Sequence, residues 1–171
     1  AEGIRDMGPC LSPQNAWNVL QGIETLSVRM EKHCSNALKM VEYLSNHKSV
    51  AWVSHASLKD NPDYELAKTL LPKGTGSMIA FGIKGGKEAG AAFIDNVKLA
   101  SHLANVGDTR TLVIHPASAT HSQMDEATLK LANMSHDMIR LSVGIEDIDD
   151  IINDFEDGFR AAEKPRLVAN K

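Results

Sequence analysis

An arginine stands inside an apolar, β-prone run near the end of the chain. In MIRLSV, Met138 to Val143, the two-residue repeat of a strand places Met138, Arg140 and Ser142 on one face and the aliphatic residues on the other. A guanidinium on such a face is costly unless an anion pairs with it, and its planar fork can bind a carboxylate through two hydrogen bonds. The residues leave two interpretations open. Arg140 is either a clamp for a substrate carboxylate or phosphate, or a structural residue that pairs with a nearby acid or lies at a strand end at the surface.

A polar loop is the second candidate for a site. Residues 104–122 read ANVGDTRTLVIHPASATHS and are rich in hydroxyl side chains, a composition that often lines sites but also suits a structural loop. His115 and His121 are six residues apart, without a cysteine or third histidine to support them, so no zinc site is expected. The stretches KGTGS and IKGGKEAG lack the spacing of phosphate-binding loops and predict turns.

A long helix precedes these segments. Ser12 and Pro13 suit its N-cap and first position, and apolar residues then recur every three or four positions as far as Leu44. The pattern covers about 34 residues, or about 50 Å at the helical rise, which is too long for one small core. The sequence therefore predicts either a bend near Gly22 or a helix that reaches toward another body.

Strands and helices alternate after this helix. The β-prone segments are residues 49–55, 77–83, 111–115 and 137–144, with a short strand before the polar loop. Helices are predicted from Tyr64, from Lys87 to about Asn96, over 124–134 and from Asp147, where the acids after Gly144 are expected only to cap and solvate. The pattern predicts a two-layer α/β sandwich with a small mixed or antiparallel sheet over residues 40–164. A connector region, 1–39, precedes this domain, and a tail, 165–171, follows it.

The bulk composition excludes several classes of partner. The chain has 171 residues, of which 43% are hydrophobic and 23% charged, and its net charge is −4. Because the basic residues are spread along the chain, neither nucleic acid nor an anionic membrane is an expected partner. No apolar run approaches the roughly 18 residues that a membrane span needs. Cys10 and Cys34 predict free thiols in a reducing, cytoplasmic compartment.

Three motifs in order carry a family resemblance. LSPQNAW…LQGIETLSVRMEKHCSNA, ANVGDTRTLVIHPASATHSQ and IRLSVGIEDIDDIINDF resemble the C-terminal part of the Cys/Met-metabolism family of pyridoxal-phosphate (PLP) enzymes. NVGD at the start of the second motif is most similar to the O-acetylhomoserine sulfhydrylases, whereas cystathionine lyases and synthases usually carry SLGG there. The resemblance implies the C-terminal domain of the type I PLP-dependent transferase fold.

The resemblance also implies a reaction and three site residues. In this family, PLP is held on a lysine of a large N-terminal domain, acetate leaves O-acetylhomoserine, and sulfide adds to give homocysteine. The arginine of RLSVG, here Arg140, binds the α-carboxylate of the amino-acid substrate. Asn105 lies beside that carboxylate and the cofactor's lysine, and Thr120 lies near the mouth of the site.

One departure from the family decides what this chain can do alone. The family's PLP lysine follows a serine or threonine, and this chain contains no Ser-Lys or Thr-Lys pair. The large PLP-binding domain is therefore expected to be absent, and the chain is expected to be inactive and free of cofactor, with no catalytic residue of its own. Its expected partners are that N-terminal domain and the amino-acid substrate, in a cytoplasmic homotetrameric parent. The alternatives are a piece of a cystathionine γ-synthase or methionine γ-lyase, or a stand-alone binding domain without catalysis.

Overall fold

The computed structural model describes residues 3, 7, 8, 10–116 and 135–163. Every structural statement below refers to these residues. Thr120, His121, the predicted helix over 124–134 and the tail lie outside them.

Five helices and five strands make up the described elements. The helices are α1 (Pro13–Glu24), α2 (Leu26–Asn46), α3 (Tyr64–Leu70), α4 (Gly86–Asn96) and α5 (Ile148–Ala162). The strands are β1 (Val50–Ser54), β2 (Met78–Ile83), β3 (Ser101–His102), β4 (Leu112–Ile114) and β5 (Met138–Ser142). None of the helices in the described part of the chain is long and apolar enough to cross a bilayer.

The long amphipathic pattern near the start forms two helices. Ser12 caps α1, because its hydroxyl accepts a hydrogen bond from Asn15 N at 3.2 Å. The length of the pattern predicted a bend near Gly22 as one of two options. The helix is interrupted at Thr25, three residues later, between α1 and α2. No residue of α1 is buried, whereas α2 buries side chains from His33 onward. Of these two helices, only α2 therefore contributes to the core.

The five strands form one mixed sheet in the order β1-β2-β5-β4-β3. Neighbouring strands are antiparallel except for β3 and β4, which are parallel. The mixed sheet that the sequence predicted is confirmed. Strand β5 lies at the centre, and its Arg140 faces Ala80 of β2 on one side and Ile114 of β4 on the other.

The core lies between one face of this sheet and the helices. Phe81 of β2 packs against Phe93 of α4 and against Phe155 and Phe159 of α5, with ring centroids 6.0–6.3 Å apart. Each of these rings is at most 1% exposed, and burying such a side chain contributes about 1.5–3 kcal/mol. Helix α2 adds Met40 and Leu44 to the same core cluster. The predicted two-layer α/β arrangement is therefore confirmed.

Candidate functional site

Arg140 projects from the sheet face opposite the helical layer. Its neighbours along the strand, Ile139 and Leu141, are fully buried in the core, whereas Arg140 itself is half-buried. Alternation along β5 therefore places Arg140 on the face opposite Ile139 and Leu141, as the sequence predicted. The cross-strand neighbour Ala80 is small and leaves room beside the long arginine stem.

An open cleft of about 340 Å³ holds this arginine. Its walls come from the end of β1, the segment that leads into α3, and strands β2 and β5, with lining residues Ser54, His55, Ala56, Asn61, Asp63, Met78, Ile79, Ala80 and Arg140. Among the described residues, none forms a hydrogen bond or ion pair with the Arg140 guanidinium. Asp63 lines the same cleft without pairing with it. The structural ion pair that the sequence left open therefore has no partner in the described part of the chain.

His55 gives the cleft a buried but neutral wall. Its Nδ1 accepts a hydrogen bond from Ser57 N at 3.3 Å and lies 2.7 Å from Ser57 Oγ, so the ring proton is on Nε2. Burial lowers the pKa of His55. Arg140 is then the only cationic side chain among the described residues that line the cleft.

Asn105 lies in the exposed loop between β3 and β4. Its Oδ1 accepts a hydrogen bond from Val106 N at 2.8 Å, and no hydrogen bond joins it to Arg140 among the described residues. The same loop contains an exposed pair in which Arg110 Nη2 lies 3.1 Å from Asp108 Oδ2. The hydrogen bonds from Arg110 lower the pKa of Asp108. The described residues thus show no hydrogen bond or ion pair between Arg140 and Asn105, and Thr120 lies outside them.

Glu146 has a contact that the sequence did not predict. The acids after Gly144 were expected to cap the last helix, and Asp147 does so by accepting a hydrogen bond from Asp149 N at 2.9 Å. Glu146 instead accepts hydrogen bonds from Thr111 N at 2.6 Å and from Thr111 Oγ1 at 2.9 Å. The expectation that it acts as a capping residue was wrong, because its carboxylate reaches a loop 35 residues away. The only sequence signal is its place one residue before the N-cap.

Residues 2–160 match the model of a protein family described as Cys/Met metabolism PLP-dependent enzyme. The chain belongs to this family. Among curated members, the chain is 55% identical over 158 residues to the O-acetyl-L-homoserine sulfhydrylase of Corynebacterium glutamicum, a match that covers 92% of this chain and 36% of that protein. It is 46% identical over 160 residues to the enzyme of the same name from Leptospira meyeri, a match that covers 93% of this chain and 36% of that protein. The chain thus spans about a third of the length of these relatives.

Solved structures of the family share the fold. A Campylobacter jejuni protein described as an O-acetylhomoserine (thiol)-lyase, crystallised with N'-pyridoxyl-lysine-5'-monophosphate, matches with a TM-score of 0.83 and 39% identity over 92% of this chain and 37% of that one. The cystathionine gamma synthase of Xanthomonas oryzae in complex with cystathionine matches with a TM-score of 0.82 and 34% identity over 92% and 41%. The type I fold predicted from the motifs is confirmed.

The residues of the cleft do not suit the family's cofactor by themselves. PLP is held in these enzymes through a lysine, and no lysine is among the described side chains that line the cleft. Arg140 offers one cation, which suits a single carboxylate better than a complete cofactor site. The described part of the cleft therefore suits a carboxylate and does not, by itself, suit the cofactor.

Proposed function

We propose that this chain is the C-terminal, substrate-carboxylate-binding part of a PLP-dependent O-acetylhomoserine sulfhydrylase. The parent reaction converts O-acetylhomoserine and sulfide into homocysteine and acetate, a step of methionine biosynthesis. The names and the 46–55% identity of the relatives support this assignment. The parent is proposed to be a cytoplasmic homotetramer that binds no nucleic acid.

The observation that carries the proposal is the Arg140 guanidinium in its open cleft, for which the described residues supply no ion-pair partner. Because no described residue forms an ion pair with this half-buried cation, it can bind an anionic ligand, and its planar fork suits the α-carboxylate of an amino acid. Held in this way, the amino acid is oriented by its carboxylate and extends from the cleft toward the body that carries the cofactor. Asn105 is proposed to contact the same carboxylate, and Thr120 is proposed to lie near the mouth of the site.

This chain alone is proposed to be inactive. The described residues of its cleft supply an anion clamp and a neutral histidine, His55, but no lysine to hold the cofactor. The missing part is proposed to be the large N-terminal PLP domain, which acts as the partner of this chain. The 171-residue chain mixed with PLP, O-acetylhomoserine and sulfide should therefore produce no homocysteine above the uncatalysed background.

The decisive experiment uses the full-length protein that contains this chain. The purified protein is assayed with O-acetylhomoserine and either sulfide or cysteine as the nucleophile, and homocysteine and cystathionine are quantified separately. A sulfhydrylase produces homocysteine efficiently from sulfide. Efficient formation of cystathionine from cysteine, with little use of sulfide, would instead assign the protein to the second candidate.

That second candidate is a cystathionine γ-synthase. The structural likeness favours it almost equally, since the two TM-scores are 0.83 and 0.82. The residues at NVGD, Asn105 to Asp108, favour the sulfhydrylase. A full-length protein without turnover of either kind would point to the third alternative, a binding domain that kept the fold and lost the chemistry.

A further inference from the structure

Helix α2 holds the turn that follows β5. His33 Nδ1 lies 2.7 Å from Val143 O, and because a carbonyl only accepts, the imidazole N–H is the donor. Asn36 Nδ2 donates to Gly144 O at 3.1 Å and to Glu146 O at 2.9 Å. His33 and Asn36 are 1% and 0% exposed. Two buried polar side chains of one helix thus hold the backbone of 143–146.

The loop before β4 holds the same turn from another side. Thr111 Oγ1 donates to Glu146 Oε2 at 2.9 Å and accepts from Gly144 N at 2.9 Å. Thr111 N donates to Glu146 Oε1 at 2.6 Å, and Thr109 O accepts from Ile145 N at 2.9 Å. Thr111 is fully buried. One threonine therefore links the loop, the turn and the carboxylate.

Gly144 shows how closely these segments approach. A Cβ at this position would lie 2.5 Å from Thr109 O and 2.5 Å from Thr111 N, and both are backbone atoms that cannot rotate away. The side chain of Glu146 would also meet it. Only glycine allows the loop and the turn to come together in this way.

The buried polar side chains of His33 and Asn36 have an energetic cost. His33 donates from Nδ1, so Nε2 is its remaining ring nitrogen, and Asn36 donates from Nδ2 and leaves Oδ1 as an acceptor. Both atoms are buried without a partner among the described residues. Unpaired buried acceptors are unfavourable, and an apolar core would avoid them. Such a cluster is better explained by the geometry that it specifies than by the stability that it adds.

We propose that Thr111 and Glu146, backed by His33 and Asn36, are positioning residues for the substrate-carboxylate site. Arg140 lies four residues before Gly144 on the strand that the cluster anchors, and the loop that begins near Asn105 ends at Thr111. Fixing the turn against the loop sets the position of Asn105 relative to Arg140. The inference rests on the proposed function, because Arg140 and Asn105 are taken as the carboxylate ligands.

The test compares matched variants in the full-length protein. Thr111→Val keeps the shape and removes both hydroxyl hydrogen bonds, whereas Thr111→Ser keeps the hydroxyl. Glu146→Gln is a milder second variant, in case the valine variant does not fold. The control is Glu163→Gln, since Glu163 pairs with Lys48 at 2.9 Å at the surface. The readouts are kcat, the KM for O-acetylhomoserine, the KM for sulfide, and hydrogen exchange of residues 105–111.

Thr111→Val should raise the KM for O-acetylhomoserine about tenfold, with a smaller change in kcat and none in the KM for sulfide, because only the carboxylate ligands are displaced. It should also increase amide exchange in 105–111, and Thr111→Ser should restore both properties. Equal KM values for Thr111→Val, Glu146→Gln and wild type, with lowered thermal stability, would overturn the inference and leave a structural role. A wild-type protein without turnover would refute the proposed function. Exchange would then still test the cluster, since unchanged protection in Thr111→Val would overturn it.

Discussion

Replacing Arg140 by lysine and by methionine separates a substrate clamp from a structural ion pair. A buried ion pair that loses one partner costs about 3–5 kcal/mol, because an acid remains uncompensated. No acid pairs with Arg140 among the described residues, so that cost should not arise. Methionine retains much of the volume of the arginine stem, and Arg140→Met should change the free energy of unfolding by no more than about 1 kcal/mol.

Substrate binding, unlike the free energy of unfolding, should change strongly in these variants. Lysine keeps the charge but replaces a planar fork by a single point of attachment, and a hydrogen bond to a charged group contributes about 1.5–3 kcal/mol. Because the guanidinium is only half-buried in its cleft, the lower half of that range applies, which corresponds to about 10- to 40-fold in affinity. Arg140→Met removes both attachments and the charge, and should weaken binding by more than about 100-fold.

Two assays check this pair of expectations. The KM for O-acetylhomoserine is measured with sulfide in the full-length protein, and urea unfolding is measured in the 171-residue chain. The control is Arg160→Lys, because Arg160 is an exposed arginine whose Nη1 lies 3.1 Å from Asp157 one turn away on α5. An unchanged KM in Arg140→Lys, or a loss of about 3 kcal/mol of stability in Arg140→Met, would refute the clamp.

Three further predictions concern stability, each measured by urea unfolding of the 171-residue chain. Gly144→Ala should cost about 1–3 kcal/mol, because the new methyl group would overlap backbone atoms that are fixed in place. Asp154→Ala should cost about 1.5–3 kcal/mol, because the carboxylate accepts hydrogen bonds from the backbone N–H groups of residues 98–100 at 2.6–3.0 Å. Burial lowers the pKa values of His55 and His115 below 6.5, so the unfolded state binds more protons than the folded state at acidic pH. The free energy of unfolding should therefore fall as the pH drops below about 6.5, and it should fall less steeply in His115→Gln.

Local sequence patterns predicted the helices and strands because capping and strand alternation depend on neighbouring residues. A serine and a proline at the start of α1 fix the helix there, since capping depends only on neighbouring backbone groups. The alternation in MIRLSV placed Arg140 opposite the face that buries Ile139 and Leu141, because a strand has a fixed period of two. The proposed role of Arg140 came from the family motif, which the residues alone left open.

Contacts between distant segments could not be predicted in this way. Strand β3 is only two residues long, Ser101–His102, and it is held by its parallel neighbour rather than by its own sequence. His33 and Val143 are 110 residues apart in the chain, and neither residue shows a pattern that would pair them. Glu146 resembled the other acids before α5 because a carboxylate near a helix start usually interacts with that helix. In each case the partner is chosen by the tertiary fold.

The position of Arg140 in the central strand has a structural consequence. Among the described helices, α2, α4 and α5 contribute to the core on the face with Ile139 and Leu141, and the cleft that holds Arg140 opens on the other face. Helix α1 is similarly uncovered, since Trp17 and Ile23 are 56% and 57% exposed. The match covers 36% of the Corynebacterium glutamicum relative, and under the proposed function the rest of the parent protein covers both surfaces. An arginine that would be misplaced in the core of an isolated domain is, under the proposed function, well placed as one wall of a site between two bodies.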